Sequence, residues 1–359
     1  MKITDIKLKK FETEYEKPFR VTFGTLYTAG SWIVKVFTDE GIAGLGSAAP
    51  FRYVTGDTME MCRIAIDILS EALIGCDPLD IKSIHDRMDA AIAGNGPAKC
   101  AFDIACYDIA ARNAGLPLYR YLGGKDPHVL DDITIGIDEP EEMAREARRL
   151  VFEKGFKILK VKTGIDPDND LKALRLIREY TEGQARIRAD ANQGYDLKTT
   201  LSILDKLEAL GVEALEQPLP WWDFTGMAEI NSKNNTSVML MMDESIQNAY
   251  DAKRAAEMKC ADNFNIKLMK CGGIYNGLKI ADRAAEAGIT CMVGSMPENK
   301  ISLTAGLSIV ASHDAVIESD CDMFMLYKGE DDGIVGGFTH VGGDFLLSED
   351  LGLGIEMDI

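Results

Sequence analysis

Apolar and polar residues alternate from Ile3 to Phe11, again from Ser31 to Thr38 and from Gly41 to Ala48, the period-two pattern of half-buried strands. Thr38-Asp39-Glu40-Gly41 joins the last two as a hairpin turn. From Asp57 to Asn113 the period lengthens to that of a helix. The spacing predicts a first helix starting near Asp57-Thr58, with Met61, Ile64, Ala65 and Ile68 on its apolar face. Pro78 and Asp80 introduce a second, and Pro97 opens a third that carries Cys100, Ile104, Tyr107 and Ala111. Strands followed by a block of helices predict an α+β unit over residues 1–125.

After Leu122-Gly123-Gly124 short β-rich runs alternate with amphipathic stretches. The strands are expected at Asp132–Ile137, Ile158–Lys162, Ala185–Asp190, Val212–Glu216, Ser237–Asp243, Phe264–Leu268, Thr290–Gly294 and Ala315–Ser319. Helices fall between them, for example at Glu141–Glu153, Leu171–Tyr180 and Leu197–Leu210. This alternation predicts an α/β fold, a (β/α)8-type barrel altered at one end, over residues 126–332. A doubly wound open sheet is the alternative. Such a sheet carries a Gly-rich phosphate turn after its first strand, and Ile135-Gly136-Ile137-Asp138 is not one. The glycine-rich tail from Gly333 ends in Asp350-Leu351-Gly352-Leu353-Gly354-Ile355. Residues 333–359 are expected to fold back and complete the first unit as a capping domain.

Composition narrows the partners more than the chemistry. The net charge of −19 over 359 residues repels nucleic-acid phosphates and anionic membranes. No apolar run reaches the roughly 18 residues needed to span a bilayer, and the N-terminus lacks a signal-peptide core. The eight cysteines are scattered without a CxxC pair, as expected of small buried thiols in a reducing cytoplasm. Four histidines without ligand spacing disfavour a His-rich zinc site.

The chemistry lies in a phase relation. Lys162, Asp190, Glu216, Asp243 and Lys267 each end an apolar strand, at separations of 28, 26, 27 and 24 residues, about one βα unit each. A barrel gathers such positions at one mouth. Three carboxylates buried there without a counterion would cost several kcal/mol each. Asp190, Glu216 and Asp243 are hard oxygen ligands suited to Mg²⁺. Lys160 and Lys162 share one face of their strand, and Lys267 would approach from the opposite side. Lysines on both sides of a carbon held beside Mg²⁺ could remove a proton from one face and return one on the other. Mg²⁺ and Lys160 would lower the pKa of Lys162 towards the working pH.

Lys160-Val161-Lys162, Asp190-Ala191-Asn192, Glu216-Gln217-Pro218, Asp243-Glu244-Ser245 and Asn265-Ile266-Lys267 followed by Gly272-Gly273 stand in this order. Together they resemble the motif strands of the enolase superfamily, in its muconate-lactonizing subgroup. Gly96-Pro97-Ala98, Asp103, Tyr107-Asp108 and Gly115–Tyr119 resemble that family's capping-domain helix. The resemblance covers nearly the whole chain. It implies Mg²⁺-assisted abstraction of the proton α to a carboxylate or carbonyl through an enolate, and a homo-oligomer.

The eighth strand bears on the substrate. Asp320 and Asp322 alternate onto one face. The pair resembles that of the dipeptide epimerases, where it holds the substrate's α-ammonium group by charge-assisted hydrogen bonds. By the same resemblance Thr134 and Ser295 line the substrate cavity. The expectation is an isomerase, a Mg²⁺-dependent dipeptide epimerase inverting the second residue of an L,L-dipeptide. N-acylamino acid racemase or o-succinylbenzoate synthase is the alternative, and a Schiff-base aldolase barrel is the reading from another class. Epimerases specific for Ala-Glu carry an arginine in the first cap loop, where Gly24 stands here, with Arg20 and Arg52 out of register. Phe19, Phe23, Leu26, Tyr27, Phe51 and Tyr53 make the cap loops, Lys17–Thr28 and Ala49–Thr55, apolar. An apolar side-chain preference follows, with a cationic side chain meeting Glu298 or Asp57 as the other possibility.

Overall fold

The computed structural model describes residues 1–329 and 332–359. Strands β1 (Ile3–Val21), β2 (Gly24–Thr38) and β3 (Ala43–Ala48) form an antiparallel sheet in that order. The first hairpin runs much further than the alternation predicted. Lys17–Thr28, expected as a loop, continues the two strands, with a register shift between Glu14 and Phe19 and a tight turn at Thr22-Phe23. Pro18 is tolerated because it stands at that irregularity on an edge strand. Gly24, at φ +141°, closes the turn in a region that other residues avoid.

Helices α1 (Met59–Leu73), α2 (Ile81–Ala91), α3 (Gly96–Asn113) and α4 (Leu118–Tyr121) follow. Thr58 and Asp80 cap the first two through hydrogen bonds from the Met61 and Ser83 amides, and Pro97 stands in the first turn of α3. The apolar face expected of α1 is displaced. Cys62, Ala65, Ile66, Leu69 and Leu73 are buried, whereas Met61 and Ile64 are 50% and 62% exposed and Ile68 is 38% exposed. Both sets recur at helical spacing, and packing against the sheet and α3 selects the first. Helix α3 is buried almost throughout. It lies so close to β3 that a Cβ on Gly44 or Gly46 would strike the carbonyls of Ala105 and Ala101.

The barrel is built from β5 (Ile133–Ile135), β6 (Ile158–Lys162), β7 (Arg186–Asp190), β8 (Val212–Glu216), β9 (Met239–Met242), β10 (Asn263–Ile266), β11 (Thr290–Gly294) and β12 (Val316–Asp320). All adjacent pairs are parallel and in chain order, which excludes the doubly wound sheet. The seam between β12 and β5 is closed by a single bridge, Asp131 to Ser319. Outside lie α5 (Pro140–Phe152), α6 (Pro167–Tyr180), α7 (Leu197–Ala209), α8 (Phe224–Lys233), α9 (Ala249–Met258), the short α10 (Leu268–Cys271), α11 (Ile274–Glu286) and α12 (Lys300–Val310). The altered end is the last unit, where a 3₁₀ turn at Met323–Leu326 follows β12. No helix among the described residues is long and apolar enough to cross a membrane.

The tail divides between the two units. Strands β13 (Phe338–Val341) and β14 (Asp344–Leu347) pair with β4 (His128–Leu130) beside the barrel seam. Gly352 exchanges backbone hydrogen bonds with Leu116 and Leu118, and the Leu353 amide donates to Asp108 of α3 at 2.8 Å. A second buried acid of α3, Asp103, accepts from the Ile274 and Tyr275 amides and so caps barrel helix α11 from the cap side. These two carboxylates bind the capping helix to the barrel and to the tail. The cysteines are free, all buried except the half-buried Cys76.

Candidate active site

The period of the βα units brings the expected residues to one end of the barrel. Lys162, Asp190 and Glu216 stand side by side at the ends of three neighbouring strands, as the register pairs Lys162 with Asp190 and Asp190 with Glu216. Asp243 and Lys267 follow directly on β9 and β10, one residue beyond each strand. All five are buried, as is Lys160.

Acids and amines interleave. Lys162 Nζ lies 2.6 Å from Asp190, and Lys160 Nζ reaches Glu216 at 2.9 Å, Asp190 at 3.3 Å and Asp320 at 2.7 Å. Lys267 Nζ lies 2.8 Å from Asp243. Lys162 and Lys267 therefore sit at the two ends of the carboxylate row, with Lys160 in its middle. Burial acts to raise Asp190 and Asp243, but the adjacent ammonium groups outweigh it and hold both below the usual carboxylate range. Glu216, where burial and the Asp190 charge prevail over Lys160, is pushed up to about 7. Burial alone would lower Lys160 and Lys267, yet the facing carboxylates raise both.

Four residues complete this floor, Glu244 and Asn265 from within the quoted motifs and Lys270 and Asp132 from outside them. Lys270, one turn after Lys267, donates to the Asp243 carboxylate at 2.6 Å and to the Asn265 carbonyl at 2.9 Å. Asn265 donates to Glu216 at 2.8 Å. Glu244 accepts from Asn192 at 3.3 Å, and burial with the Asp243 charge raises it to about 8. Asp132 stands at the seam, where its carboxylate comes within 4.8 Å of those of Asp320 and Asp322. Arg188 balances part of this charge, at 3.0 Å from Asp132 and 2.7 Å from Glu318. Asp132 precedes a strand and Lys270 lies in a helical turn, so neither falls on the strand-end period.

Above this floor a cavity is lined by Thr134, Lys162, Lys267, Ser295 and Asp320, roofed by Phe19, Val21, Phe23, Leu26, Phe51 and Val54. Asp322 lies just behind the wall. Its Oδ2 accepts the Thr134 amide at 2.6 Å, while Oδ1 is buried without a partner, and burial together with Asp320 raises the group to about 6. Tyr27 and Tyr53 are not in the wall; Tyr53 stacks on Phe23 at 5.8 Å from outside. Arg20 and Arg52 open onto neighbouring cavities. Glu298 is buried behind Met296, whose amide it accepts at 2.9 Å. The hairpin tip is tied to the barrel by Thr22, which donates to the carbonyls of Thr163 and Ala191, the residues after Lys162 and Asp190.

Residues 3–123 match the N-terminal domain of the mandelate racemase / muconate lactonizing enzyme family, and residues 142–359 match the enolase C-terminal domain-like family. The chain belongs to the enolase superfamily. This superfamily member is 37% identical to an L-Ala-D/L-Glu epimerase of Clostridium acetobutylicum over 99% of both chains. It is 36% identical to an N-succinyl-L-Arg/Lys racemase of Bacillus cereus, over 100% of this chain and 96% of that one. A solved dipeptide epimerase of Enterococcus faecalis, complexed with Mg and L-Leu-L-Tyr, superposes with a TM-score of 0.95 at 36% identity, covering 99% of this chain and 100% of that one. The relatives named being epimerases and a racemase, this superfamily member is an isomerase.

Proposed function

We propose that the protein is a Mg²⁺-dependent dipeptide epimerase that inverts the second residue of an L,L-dipeptide by proton transfer between two lysines. The observation that carries this reading is one cavity with Lys162 and Lys267 in its walls, three carboxylates beneath it and the Asp320–Asp322 pair at one side.

Asp190, Glu216 and Asp243 suit the metal by the chemistry of their donors, although among the described residues it is the carboxylates of Asp132, Asp320 and Asp322 that already lie within 4.8 Å of one another. The first three are hard oxygen donors from successive barrel units, and each already faces an ammonium group, so the set is arranged to receive positive charge. Bound there, Mg²⁺ supplies charge that offsets the negative charge growing on the substrate carboxylate as the α-proton leaves. The chain's own residues do the rest. Lys162 and Lys267 stand on opposite sides of the α-carbon, one taking the proton and the other returning one. Lys160 adds a fixed positive charge beside Glu216 and Asp320. Asp320 and Asp322, crowded by Asp132, carry more negative charge than Lys160 and Arg188 balance, and the substrate's α-ammonium completes the account. Thr134 and Ser295 shape the wall between. The cavity is about 50 Å³, with the hairpin-tip residues Val21 and Phe23 in its roof and Thr22 tying that tip to the barrel.

The apolar roof and Gly24 at the turn favour a side chain other than glutamate. An N-acylamino acid racemase would set an uncharged or anionic acyl group against Asp320 and Asp322, which disfavours that reading. An aldolase would leave the three carboxylates at the ends of successive strands without a role. Turnover of a dipeptide library in D₂O tests the proposal. One deuterium should appear at the inverted carbon, and inversion without solvent exchange would refute the two-lysine scheme.

A further inference from the structure

The catalytic cavity has an annex. Val21, Phe23, Leu26 and Phe51 line it on one side and on the other line a second, partly open cavity of about 430 Å³ between the first hairpin and the start of α1. Four charged residues face that second cavity: Glu12, Arg52, Asp57 and Glu60. Arg52 is engaged elsewhere, with its guanidinium 4.7 Å from the centre of the Tyr53 ring and 2.7 Å from the Tyr53 hydroxyl. Glu12 pairs with the exposed Lys10 at 2.8 Å, and Glu60 is exposed to solvent. Asp57 is different. It is only 7% exposed, and its Oδ2 is buried with no hydrogen-bond partner. A lone buried carboxylate oxygen costs free energy unless something arrives to meet it.

The direction of the substrate side chain follows from the chemistry proposed above, on which this inference rests. When the α-carbon loses its proton it becomes planar, with Lys162 and Lys267 on its two faces. Three substituents remain in the plane. The carboxylate points to the floor of acids, the amide nitrogen leads towards Asp320 and Asp322, and the side chain has only the roof. A side chain that parts Val21, Phe23, Leu26 and Phe51, the wall between the two cavities, would reach the one that Asp57 lines.

We infer that the inverted residue carries a long apolar stem ending in a cation, a lysine or arginine, with its methylenes in the aromatic throat and its charged head at Asp57. Such side chains bury their stems against apolar walls while the head seeks a polar partner. A short aliphatic chain would stop in the throat, and a long one without charge would place a methyl group against Asp57.

The test compares L-Ala-L-Lys with L-Ala-L-norleucine, which has the stem without the ammonium, by α-deuterium uptake in D₂O. The wild-type enzyme should prefer the lysine dipeptide at least about tenfold in kcat/KM. In Asp57→Asn the lysine-to-norleucine ratio should fall about tenfold or more. The reversed dipeptide, L-Lys-L-Ala, should show no such advantage over L-norleucyl-L-Ala. Because the wild-type comparison needs no variant, a failure of Asp57→Asn to fold leaves the test intact. Norleucine exchanging as fast as lysine, or a ratio unchanged in Asp57→Asn, overturns the side-chain assignment alone. Absence of exchange with every dipeptide overturns the epimerase reading and this inference with it.

Discussion

Lys270 Nζ lies 2.6 Å from Asp243 Oδ1, and neither side chain has any exposure to solvent. Asp243 is thus held between two ammonium groups, Lys270 on one oxygen and Lys267 on the other. Removing one member of a buried pair leaves the other charge uncompensated, at a cost of about 3–5 kcal/mol. Lys270→Met should lower the stability of the metal-free protein by less than that, because Lys267 still faces Asp243. If Asp243 also binds Mg²⁺, the ion restores part of the loss, so adding MgCl₂ should raise the Tm of the variant more than that of the wild type. Equal Tm increments would separate Asp243 from the metal.

The two cavity lysines differ in their partners, Lys162 on Asp190 and Lys267 on Asp243, and this places them at opposite ends of the acid row. Lys162→Ala and Lys267→Ala should each abolish inversion, because one face of the α-carbon then has no proton donor. Each variant should still exchange the α-proton of one diastereomer with retention, since the surviving lysine can take and return a deuteron on its own face. The two variants should act on opposite diastereomers. Mass spectrometry of the L,L and L,D forms after incubation in D₂O reads both outcomes.

What could be read along the chain was whatever repeats at a fixed interval. Lys162, Asp190, Glu216 and Asp243 were legible because each βα unit returns the chain to the same end of the barrel. Lys270 and Asp132 matter to the same floor but lie off that interval, one in the turn of α10 and the other before β5. Only the closure of the barrel seam brings Asp132 within 4.8 Å of Asp320 and Asp322. The extended hairpin was obscured by Pro18 and Gly24, which mark a loop in most contexts and here mark a register shift and a two-residue turn. The face of α1 was ambiguous because Met61, Ile64 and Ile68 are as regular in spacing as Cys62, Ile66 and Leu69. The sheet and α3, which pack against α1, decide which set is buried.

Asp322 has one oxygen bound to the Thr134 amide and one without a partner. Asp322→Asn keeps an acceptor for that amide and removes the charge. A charge-assisted hydrogen bond contributes about 1.5–3 kcal/mol, so kcat/KM for a dipeptide with a free amine should fall about 10- to 100-fold. An N-acetylated amino acid, which presents no ammonium, should lose nothing. Equal losses on both would mean that Asp322 only supports the wall.

Glu298 is fully enclosed, and burial raises its carboxyl group from the ordinary 4.5 to about 7, against the opposing hydrogen bond from the Met296 amide. Below pH 4.5 it is protonated in the folded and the unfolded chain alike, and its contribution to stability is fully present. Between 4.5 and 7 the native state keeps a proton that the unfolded chain releases, so stability falls as pH rises through this window. The loss is on the order of 3 kcal/mol by pH 8. Glu298→Gln keeps the oxygen that accepts from Met296 and cannot titrate. Other buried acids contribute slopes of their own, common to both proteins, so the difference between wild type and variant isolates this group. Urea denaturation from pH 4.5 to 8 should show the variant gaining on the wild type as pH rises, with most of the gain complete by pH 7.5. A difference that stays constant over that range would place the proton elsewhere.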